Sequence, residues 1–494
     1  MTTALMLAPI TVPLLGALAC LVAGWHRATA WLAPACGALM LAAAAGLACA
    51  QAGHPPGAAL DGLLRADPLS DFMLIVISAV GLLATAATPA WLRNEVTAGR
   101  ATARTAARHS VLVQLFLAAM AAAVLAASLG VTWVAIEGTT IATAFLVGQR
   151  RTKAAVEAAW KYVMICSTGI ALALLGLLLL NDAAVHAAAG TGLDWARLVA
   201  AAPHLDPAVT RISVTLLIVG FGTKAGLVPL HAWLPDAHGQ APAPVSALMS
   251  GVLLSVAFYA ILRVNAIAGL VLGPGFTRAL LATLAVASLL LAASLLIGQR
   301  DYKRMLAYSS IEHMGVLALG AAIGGPLALA AVLLHMLGHG LAKGSLFVCA
   351  GRVLQVTGTS RIEGVRGLAG RFPLLAGCAG AGVLALTGFP PFSIFASEIG
   401  IVRAGFASGL GWVTALALVL MLVIAAALLS HTSRMLLGDG PGDSPATDRP
   451  AAPRQASGLS PAVVALGACA VLGLYAGPLT ILLHSAAHTL AGTP

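Results

Sequence analysis

Residues 220–263 read GFGTKAGLVPLHAWLPDAHGQAPAPVSALMSGVLLSVAFYAILR, an apolar segment that is interrupted in its middle and then resumes. Lys224 lies in the first apolar part and has no charged neighbour in sequence. Pro229 lacks a backbone donor and clashes one turn back, so a helix must kink or end there. Interrupted helices and buried charges are tolerated in a membrane only where they line a cavity or are enclosed by protein. The stretch therefore predicts an ion pathway.

The composition of the chain places most of it in lipid. Its 494 residues are 60% hydrophobic and 9% charged, whereas a soluble globular domain has about 25% charged residues. The seven cysteines are scattered through apolar segments without a CxxC pair. No polar stretch is long enough to form a soluble domain for a nucleotide, flavin or iron–sulfur centre. The sequence therefore predicts no cofactor and no metal.

Fourteen apolar segments approach the roughly 20 residues with which an α-helix crosses a membrane. We number them spans one to fourteen, near residues 4–24, 30–50, 70–92, 110–128, 129–149, 162–181, 211–230, 244–263, 279–299, 305–324, 327–351, 373–402, 410–436 and 460–483. The predicted fold is an all-α polytopic membrane protein. Residues 438–459 form the one long polar linker and are expected to be a flexible loop.

Lysines and arginines are distributed unequally between the two ends of these spans. Nineteen lie in connections after odd-numbered spans, six lie after even-numbered spans, and Lys224 and Lys343 lie within spans. Cytoplasmic connections carry the positive excess in membrane proteins. We therefore predict that both termini lie on the non-cytoplasmic side of a bacterial inner membrane. The net charge of +10 reflects this orientation and does not indicate nucleic-acid binding.

Spans seven and twelve are both interrupted, at LVPLHAWLP (227–235) and at LTGFPPF (386–392). Corresponding interruptions in two halves of a chain are typical of a transport site between repeats. Because the two spans are five apart, we predict two five-helix repeats, and because five is odd the second repeat has inverted topology. The predicted division is N-terminal spans at 1–109, repeats at 110–264 and 265–437, the loop at 438–459 and a final span at 460–494.

Four ionisable residues lie deep in apolar sequence: Glu137, Lys224, Lys343 and Glu398. Burial disfavours the charged form of such a group, and a nearby opposite charge offsets part of that cost. A buried Glu137–Lys224 pair therefore has two nearly balanced states that a proton moving nearby can exchange. The alternative is a static ion pair that fixes helix packing, which explains less well why four such residues occur in both repeats.

Histidines extend this set of buried polar residues. His335, His339 and Lys343 are four residues apart and therefore lie along one helical face. Imidazole titrates near neutral pH, which suits a proton relay. The alternatives are side chains satisfied by neighbouring helices, or a metal site, although no carboxylate or cysteine stands at ligand spacing. His231 and His238 flank the interruption of span seven, where they either pass protons or cap broken backbone.

Three motifs carry a resemblance to a known family: KAGLVPLHAWLPDAHGQAPAPVSALMSG (224–251), QRDYKRMLAYSSIEHMG (299–315) and HGLAKGSLF (339–347). They resemble the antiporter-like membrane subunits of respiratory complex I, multisubunit cation/proton antiporters and group 4 membrane-bound hydrogenases. The form PAPVSALMSGVLLSVAFYAILR (242–263) is most similar to the hydrogenase-4 branch, component F. The resemblance implies fourteen helices, two inverted five-helix repeats and interrupted helices seven and twelve.

The resemblance also implies roles for individual residues. Glu137 matches the glutamate of the family's fifth helix, and Lys224 matches the lysine of its seventh. Lys343 matches a lysine found on the eleventh helix in some branches, and Glu398 matches the charged residue that follows the interruption of the twelfth. The complex I branch commonly has a lysine in the eighth helix, where this chain has Ser255. One link between the two halves of the predicted proton path is therefore altered.

Together these observations predict a proton-translocating membrane subunit of a multisubunit redox complex, of the hydrogenase-4 or NADH:quinone oxidoreductase type. The expected partners are other membrane subunits, a peripheral redox arm and the lipid bilayer. The predicted relay consists of Glu137, Lys224, His231, His238, His335, His339, Lys343 and Glu398, with Glu312 and Ser255 as accessory residues. A subunit of a cation/proton antiporter or other transport complex, and a non-conducting structural subunit, are the alternatives.

Overall fold

A computed structural model describes residues 2–187, 193–437 and 458–491 of the chain. The α-helices of these ranges are α1 (Thr2–Ala23), α2 (Leu32–Gln51), α3 (Pro68–Thr97), α4 (Ala103–Leu125), α5 (Leu129–Val147), α6 (Lys153–His186), α7 (Trp195–Ala201), α8 (Pro207–Ala225), α9 (Trp233–Gln240), α10 (Ala243–Leu248), α11 (Leu254–Leu272), α12 (Pro274–Ile297), α13 (Tyr302–Ile323), α14 (Gly325–Thr357), α15 (Leu368–Arg371), α16 (Pro373–Leu386), α17 (Ser393–Ala407), α18 (Gly411–Leu437), α19 (Ser460–Leu474) and α20 (Gly477–Ala491). A single π-helical turn, Met249–Leu253, joins α10 to α11.

Two short strands interrupt the otherwise helical fold. Strand β1 (Gly57–Ala59) pairs antiparallel with β2 (Leu64–Ala66) in the connection between α2 and α3. The sequence-based expectation of an all-α chain missed this hairpin. The predicted flexible loop at 438–459 lies outside the described residues, apart from its last two positions.

The described residues do not match each of the fourteen predicted spans with a single long helix, but the predicted interruptions of spans seven and twelve fall where expected. Twelve helices there are long and apolar enough to cross a membrane. Span seven consists of α8 and α9, and span twelve consists of α16 and α17. Helix α16 rises only about 21 Å, less than the roughly 30 Å of a hydrocarbon core, so neither half of span twelve crosses alone. The prediction of interrupted spans is confirmed.

The prediction for span fourteen is wrong in one respect. Residues 460–483 were expected to form one helix, but the chain there forms α19 and α20, whose axes differ by 76°. Residues 475 and 476 separate the two helices.

Contacts between the connections show that successive spans alternate in direction. The backbone bridges outside the hairpin join Leu64 to Ala126, Ser128 to Asp194, and Asp301 to Arg361. The first two bridges link connections that follow even-numbered spans, and the third links connections that follow odd-numbered spans. Connections of like parity therefore meet at the same end of the bundle, as an alternating path requires.

The centre of the bundle contains the helices that carry most of the candidate residues. The most apolar stretches of span eight and of α13 lie completely inside the bundle. In the corresponding stretches of α1, α6 and α18, most residues are not buried. Helix α8 packs closely on α6 at Gly220, which has no Cβ. A Cβ at this position would lie only 2.6 Å from the backbone of Gly169 and Ala173. Lys224 follows Gly220 by one helical turn, so this packing positions its side chain.

Candidate functional site

One group of polar side chains surrounds Lys224, which is completely buried. Its ammonium group donates to Thr140 Oγ1 at 2.5 Å and to Tyr162 OH at 3.0 Å. Thr140 in turn donates to Glu137 Oε2 at 2.8 Å, and Ser167 donates to Glu137 Oε1 at 3.3 Å. We call Glu137, Thr140, Tyr162, Ser167 and Lys224 the Lys224 cluster. It joins α5, α6 and α8.

The direct ion pair expected between Glu137 and Lys224 is not formed. The hydroxyl of Thr140 stands between them, accepting from the ammonium group and donating to the carboxylate. Glu137 is partly exposed on the outer side of α5, whereas Lys224 is buried. A proton that leaves Lys224 through Thr140 therefore reaches a carboxylate at the edge of this chain. The arrangement is a donor chain and not a closed salt bridge.

A second group of polar side chains lies between α13, α14 and α17. His313 Nδ1 lies 3.0 Å from His335 Nε2, and His335 Nδ1 lies 2.9 Å from Ser397 Oγ. The ring centroids of His313 and His339 are 4.9 Å apart. Lys343, on the same face of α14, donates to the carbonyl of Leu306 at 2.6 Å and to Ser309 Oγ. We call His313, His335, His339 and Lys343, together with Glu312, the histidine cluster.

The hydrogen bonds of the histidine cluster define a direction. Ser397 donates its only hydroxyl proton to the carbonyl of Ile394 at 2.7 Å, so it accepts from His335 Nδ1. His335 Nε2 then carries a lone pair and accepts from His313 Nδ1. By this assignment from the network, His313 Nε2 is also an acceptor, and it has no partner among the described residues. His313 Nε2 can therefore receive a proton.

Several other buried atoms of this region have no hydrogen-bond partner in the described part of the chain. They are both ring nitrogens of His339, both ring nitrogens of His238 and Glu312 Oε2. Buried polar groups in native proteins are nearly always paired. Unpaired imidazoles and a carboxylate beside a buried lysine are groups that can take up or release a proton. The sequence treated Glu312 as accessory, and the structure buries it in the histidine cluster.

Helix α9 lies between the two clusters. At its start, Trp233 packs edge-on against Tyr162, with ring centroids 5.0 Å apart, and donates to the carbonyl of Thr223 at 2.9 Å. Near its end, His238 stacks on Phe347 of α14 at 4.9 Å. Phe347 follows Lys343 by one helical turn. The second half of span seven thus contacts the Lys224 cluster at one end and the helix of the histidine cluster at the other.

The remaining predicted residues, His231, Ser255 and Glu398, belong to neither cluster. His231 is partly exposed between α8 and α9, and its Nδ1 lies 3.2 Å from the carbonyl of Pro229. Ser255 is buried and donates to the carbonyl of Gly251 in its own helix, so it joins neither cluster. Glu398 is partly exposed, lines an apolar crevice with Val316 and Ile401, and directly follows Ser397. Of these three, only Glu398 adjoins a cluster.

Sequence reasoning missed Thr140, Tyr162 and Ser167 of the Lys224 cluster, His313 of the histidine cluster, and Ser397, which contacts His335. Two of them had a detectable signal: Thr140 is one turn from Glu137, and His313 adjoins Glu312 in a motif already singled out. Tyr162 and Ser397 had none, because their contacts with Lys224 and His335 span 62 residues each. Among the described residues, no group of three His, Cys, Asp or Glu side chains is placed to hold a metal ion.

Comparison with protein families gives one match that covers most of the chain. The family model described as NADH:quinone oxidoreductase/Mrp antiporter, TM, matches residues 126–425. A hydrogenase-4 component F homolog of Methylacidiphilum infernorum is 36% identical over 395 residues, which are 79% of this chain and 81% of that protein. NADH-quinone oxidoreductase subunit N of Desulforudis audaxviator is 34% identical over 364 residues, or 72% of this chain and 69% of that protein.

Solved structures with the same fold include chains of an Mrp complex and of respiratory complex I. A chain in the structure of the Mrp complex from Dietzia sp. superposes with a TM-score of 0.85 at 25% identity, covering 99% of this chain and 97% of that one. A chain of respiratory complex I from Thermus thermophilus superposes with a TM-score of 0.79 at 25% identity, covering 100% and 99%. Both clusters lie within the matched residues 126–425.

Proposed function

The chain belongs to the NADH:quinone oxidoreductase/Mrp antiporter transmembrane family, and on that premise we propose that it is a proton-translocating membrane subunit of a multisubunit redox complex of the hydrogenase-4 or NADH:quinone oxidoreductase type. It is a multi-pass membrane protein with about twelve long apolar helices in its described part. Electron transfer takes place in other subunits, and this chain carries the protons.

The observation that carries the proposal is the continuous hydrogen-bonded path Lys224–Thr140–Glu137. A buried lysine is costly in a membrane protein unless it has a function or a partner. Lys224 is held by two hydroxyl groups and not by a carboxylate, so its proton is not locked in an ion pair. In the transfer, the Oγ1–H bond of Thr140 breaks as its proton goes to Glu137 Oε2, and a new Oγ1–H bond forms with a proton from the Lys224 ammonium group, which leaves Lys224 as the neutral amine.

The proposed relay runs from Lys224 past His238 to Lys343 and His339, and from there through His313 and His335 toward Ser397 and Glu398. In this proposal His231, near the end of the interruption between α8 and α9, exchanges protons with one aqueous side. Where no hydrogen bond joins successive groups, bound water completes the path. Moving one charge against 100 mV costs about 2.3 kcal/mol, a size that changes in buried ion pairing can supply.

The orientation and the partners are part of the proposal. The bias of 19 against six basic residues in the connections supports a bacterial inner membrane location, with both termini on the non-cytoplasmic side. The relatives named above are a component, a subunit and a chain of multisubunit complexes. We propose that this chain assembles with such subunits and with a peripheral redox arm. The two inverted repeats, at 110–264 and 265–437, remain a prediction on which none of this depends.

An antiporter subunit is the second candidate, and the likeness to a chain of an Mrp complex favours it. We expect a tagged version of this chain to co-purify with nickel–iron hydrogenase subunits or with quinone-reductase subunits, identified by mass spectrometry. Recovery of small membrane subunits alone, from membranes solubilised under the same mild conditions, would contradict the redox assignment and favour the antiporter.

Replacing Thr140 by valine tests the path directly. Valine has nearly the same shape as threonine but lacks the hydroxyl that connects Lys224 to Glu137. We expect Thr140→Val to slow proton translocation by the purified complex in liposomes by about tenfold or more, since positioned proton-transfer groups contribute that much or more. The rate is read from a pH-sensitive dye after the electron donor is added.

Thr139→Val is the matched control. Thr139 is equally buried on the same helix, but its hydroxyl donates only to the carbonyl of Ile136, one turn back. We expect this variant to translocate protons at the wild-type rate. Equal rates for the two variants would contradict the Thr140 path, provided that both complexes assemble normally.

A further inference from the structure

Lys303 is a buried lysine that the relay described above does not use. Sequence reasoning placed it in the connection before span ten, but it lies in the first turn of α13 and is 1% exposed. Its ammonium group donates to the carbonyl of Gly239 at 2.9 Å and to the carbonyl of Ala241 at 2.8 Å. Those carbonyls belong to the end of α9 and the residue that follows it. Lys303 therefore reaches from span ten to the interrupted span seven.

No carboxylate within 4 Å neutralises Lys303 among the described residues. The charged groups that act on it electrostatically are Arg150, Asp301 and Glu95. Asp301 accepts from the backbone N–H groups of Lys303 and Arg304 and so caps α13. Glu95 is held by two hydrogen bonds from Arg100. Both carboxylates are thus committed elsewhere, and the charge of Lys303 is stabilised mainly by two carbonyl dipoles.

The position of Lys303 is between one end of the bundle and His238. On its outer side, Asp236 of α9 pairs with Lys161 at 3.1 Å and with Arg304 at 3.2 Å, in partly exposed ion pairs. On its inner side, His238 immediately precedes Gly239, is completely buried and has no hydrogen-bond partner in the described part of the chain. The charges of Lys303 and of Lys343 both act on His238. His238 therefore lies between a lysine near the bundle end and a lysine of the histidine cluster.

We propose that Lys303 is a proton-uptake residue, which receives protons from the aqueous phase beside Asp236 and Asp301 and passes them to His238. This inference rests on the proposed function and extends its relay by one residue toward the end of the bundle where the connections after odd-numbered spans meet. In the transfer, one N–H bond of the ammonium group breaks and a bond from that proton to an imidazole nitrogen of His238 forms, directly or through water. A proton from the aqueous phase then restores the ammonium group.

The geometry allows this cycle without loss of the contacts that hold α9. An ammonium group has three N–H bonds, and two of them are used by Gly239 and Ala241. The amine that remains after transfer still has two N–H bonds, so both carbonyls keep their donors. A purely structural role for Lys303, as a cap for the end of α9, uses the same two bonds but does not need the third.

Two substitutions separate the roles. Lys303→Arg and Lys303→Gln both keep at least two N–H donors for the carbonyls, but arginine does not deprotonate in proteins and glutamine carries no titratable proton. We expect both variants to assemble normally, as judged by co-purification, and to translocate protons about 10²-fold more slowly, within the range for a positioned proton-transfer group. Arg300→Gln, which changes an exposed residue in the connection just before α13 that the uptake path does not use, is the control and is expected to keep the wild-type rate.

A third variant gives a readout that a structural role would not change. Imidazole has an ordinary pKa near 6.5 and the lysine amine one near 10.4, so histidine at this position loses its proton at lower pH than lysine does. We expect Lys303→His to retain translocation, with the alkaline limb of its pH profile displaced toward lower pH. The other titratable groups around the site, Asp236, His238, Asp301 and Glu95, are unchanged in this variant.

The outcomes are decisive. A wild-type rate in either Lys303→Arg or Lys303→Gln would overturn the proposal, and so would failure of both to assemble, because that would make Lys303 a structural residue. Lys224→Met is measured in the same assay. If Lys224→Met translocates normally, the proposed function itself fails; if it is inactive while the Lys303 variants are fully active, only the uptake role of Lys303 fails.

Discussion

Replacing Lys224 by methionine should abolish proton translocation while leaving the complex assembled. Methionine fills a similar volume in the buried site but cannot donate to Thr140 or Tyr162, which hold the ammonium group at 2.5 and 3.0 Å. The path to Glu137 then has no proton to pass on. We expect a loss of about 10²-fold or more in the translocation rate per electron transferred. The measurement is dye-detected acidification of liposomes that contain the purified complex.

Lys153→Met is the control for this substitution. Lys153 lies at the exposed start of α6, so the same change of residue type removes a charge without touching either cluster. Its rate should equal that of the wild type. An assembled Lys224→Met complex that pumps normally would contradict the relay and would leave the structural-subunit alternative in place.

Breaking the ion pair between Arg263 and Asp67 should produce the largest loss of stability. Both side chains are 5% exposed, and the guanidinium binds the carboxylate through two contacts of 2.7 and 2.8 Å. Arg263 also donates to Tyr259 OH at 3.1 Å and lies 4.8 Å from the ring of Trp195. The pair ties the start of α3 to α11 at the end of the bundle opposite Lys303.

Arg263→Met leaves the Asp67 carboxylate buried without its counter-ion. Removing one partner of a buried pair costs about 3–5 kcal/mol, because the remaining charge stays desolvated. We expect a loss of that size in the free energy of unfolding, measured by titration with a denaturing detergent. The double variant Asp67→Asn/Arg263→Met should recover much of it, because asparagine is neutral and still caps α3 by accepting from Ser70 N–H.

Arg197→Met serves as the control at the same end of the bundle. Arg197 is exposed, and its side chain has no bond to the described residues. Its replacement should change the unfolding free energy by less than about 0.5 kcal/mol, as is usual for surface positions. A double variant less stable than Arg263→Met alone would show that the pair is not what stabilises this end.

The features that the sequence predicted correctly are those set by local chemistry. Span length and apolar content predicted the helices, since a helix that crosses a bilayer needs about 20 apolar residues whatever surrounds it. Proline and glycine predicted the interruptions of spans seven and twelve, because a proline removes its backbone donor wherever it lies. The four-residue spacing of His335, His339 and Lys343 placed them on one face of α14, which packs against α13 and α17 as the cluster requires.

The sequence by itself thus determined the membrane class, the interrupted spans and most of the ionisable residues at the centre of the bundle. Only the tertiary structure decided how these residues are joined: Thr140 between Glu137 and Lys224, His313 beside His335, and Lys303 against the end of α9. The reason is physical. Hydropathy and helical period act between neighbours along the chain, whereas these contacts join residues 84, 22 and 64 positions apart and depend on how the helices pack.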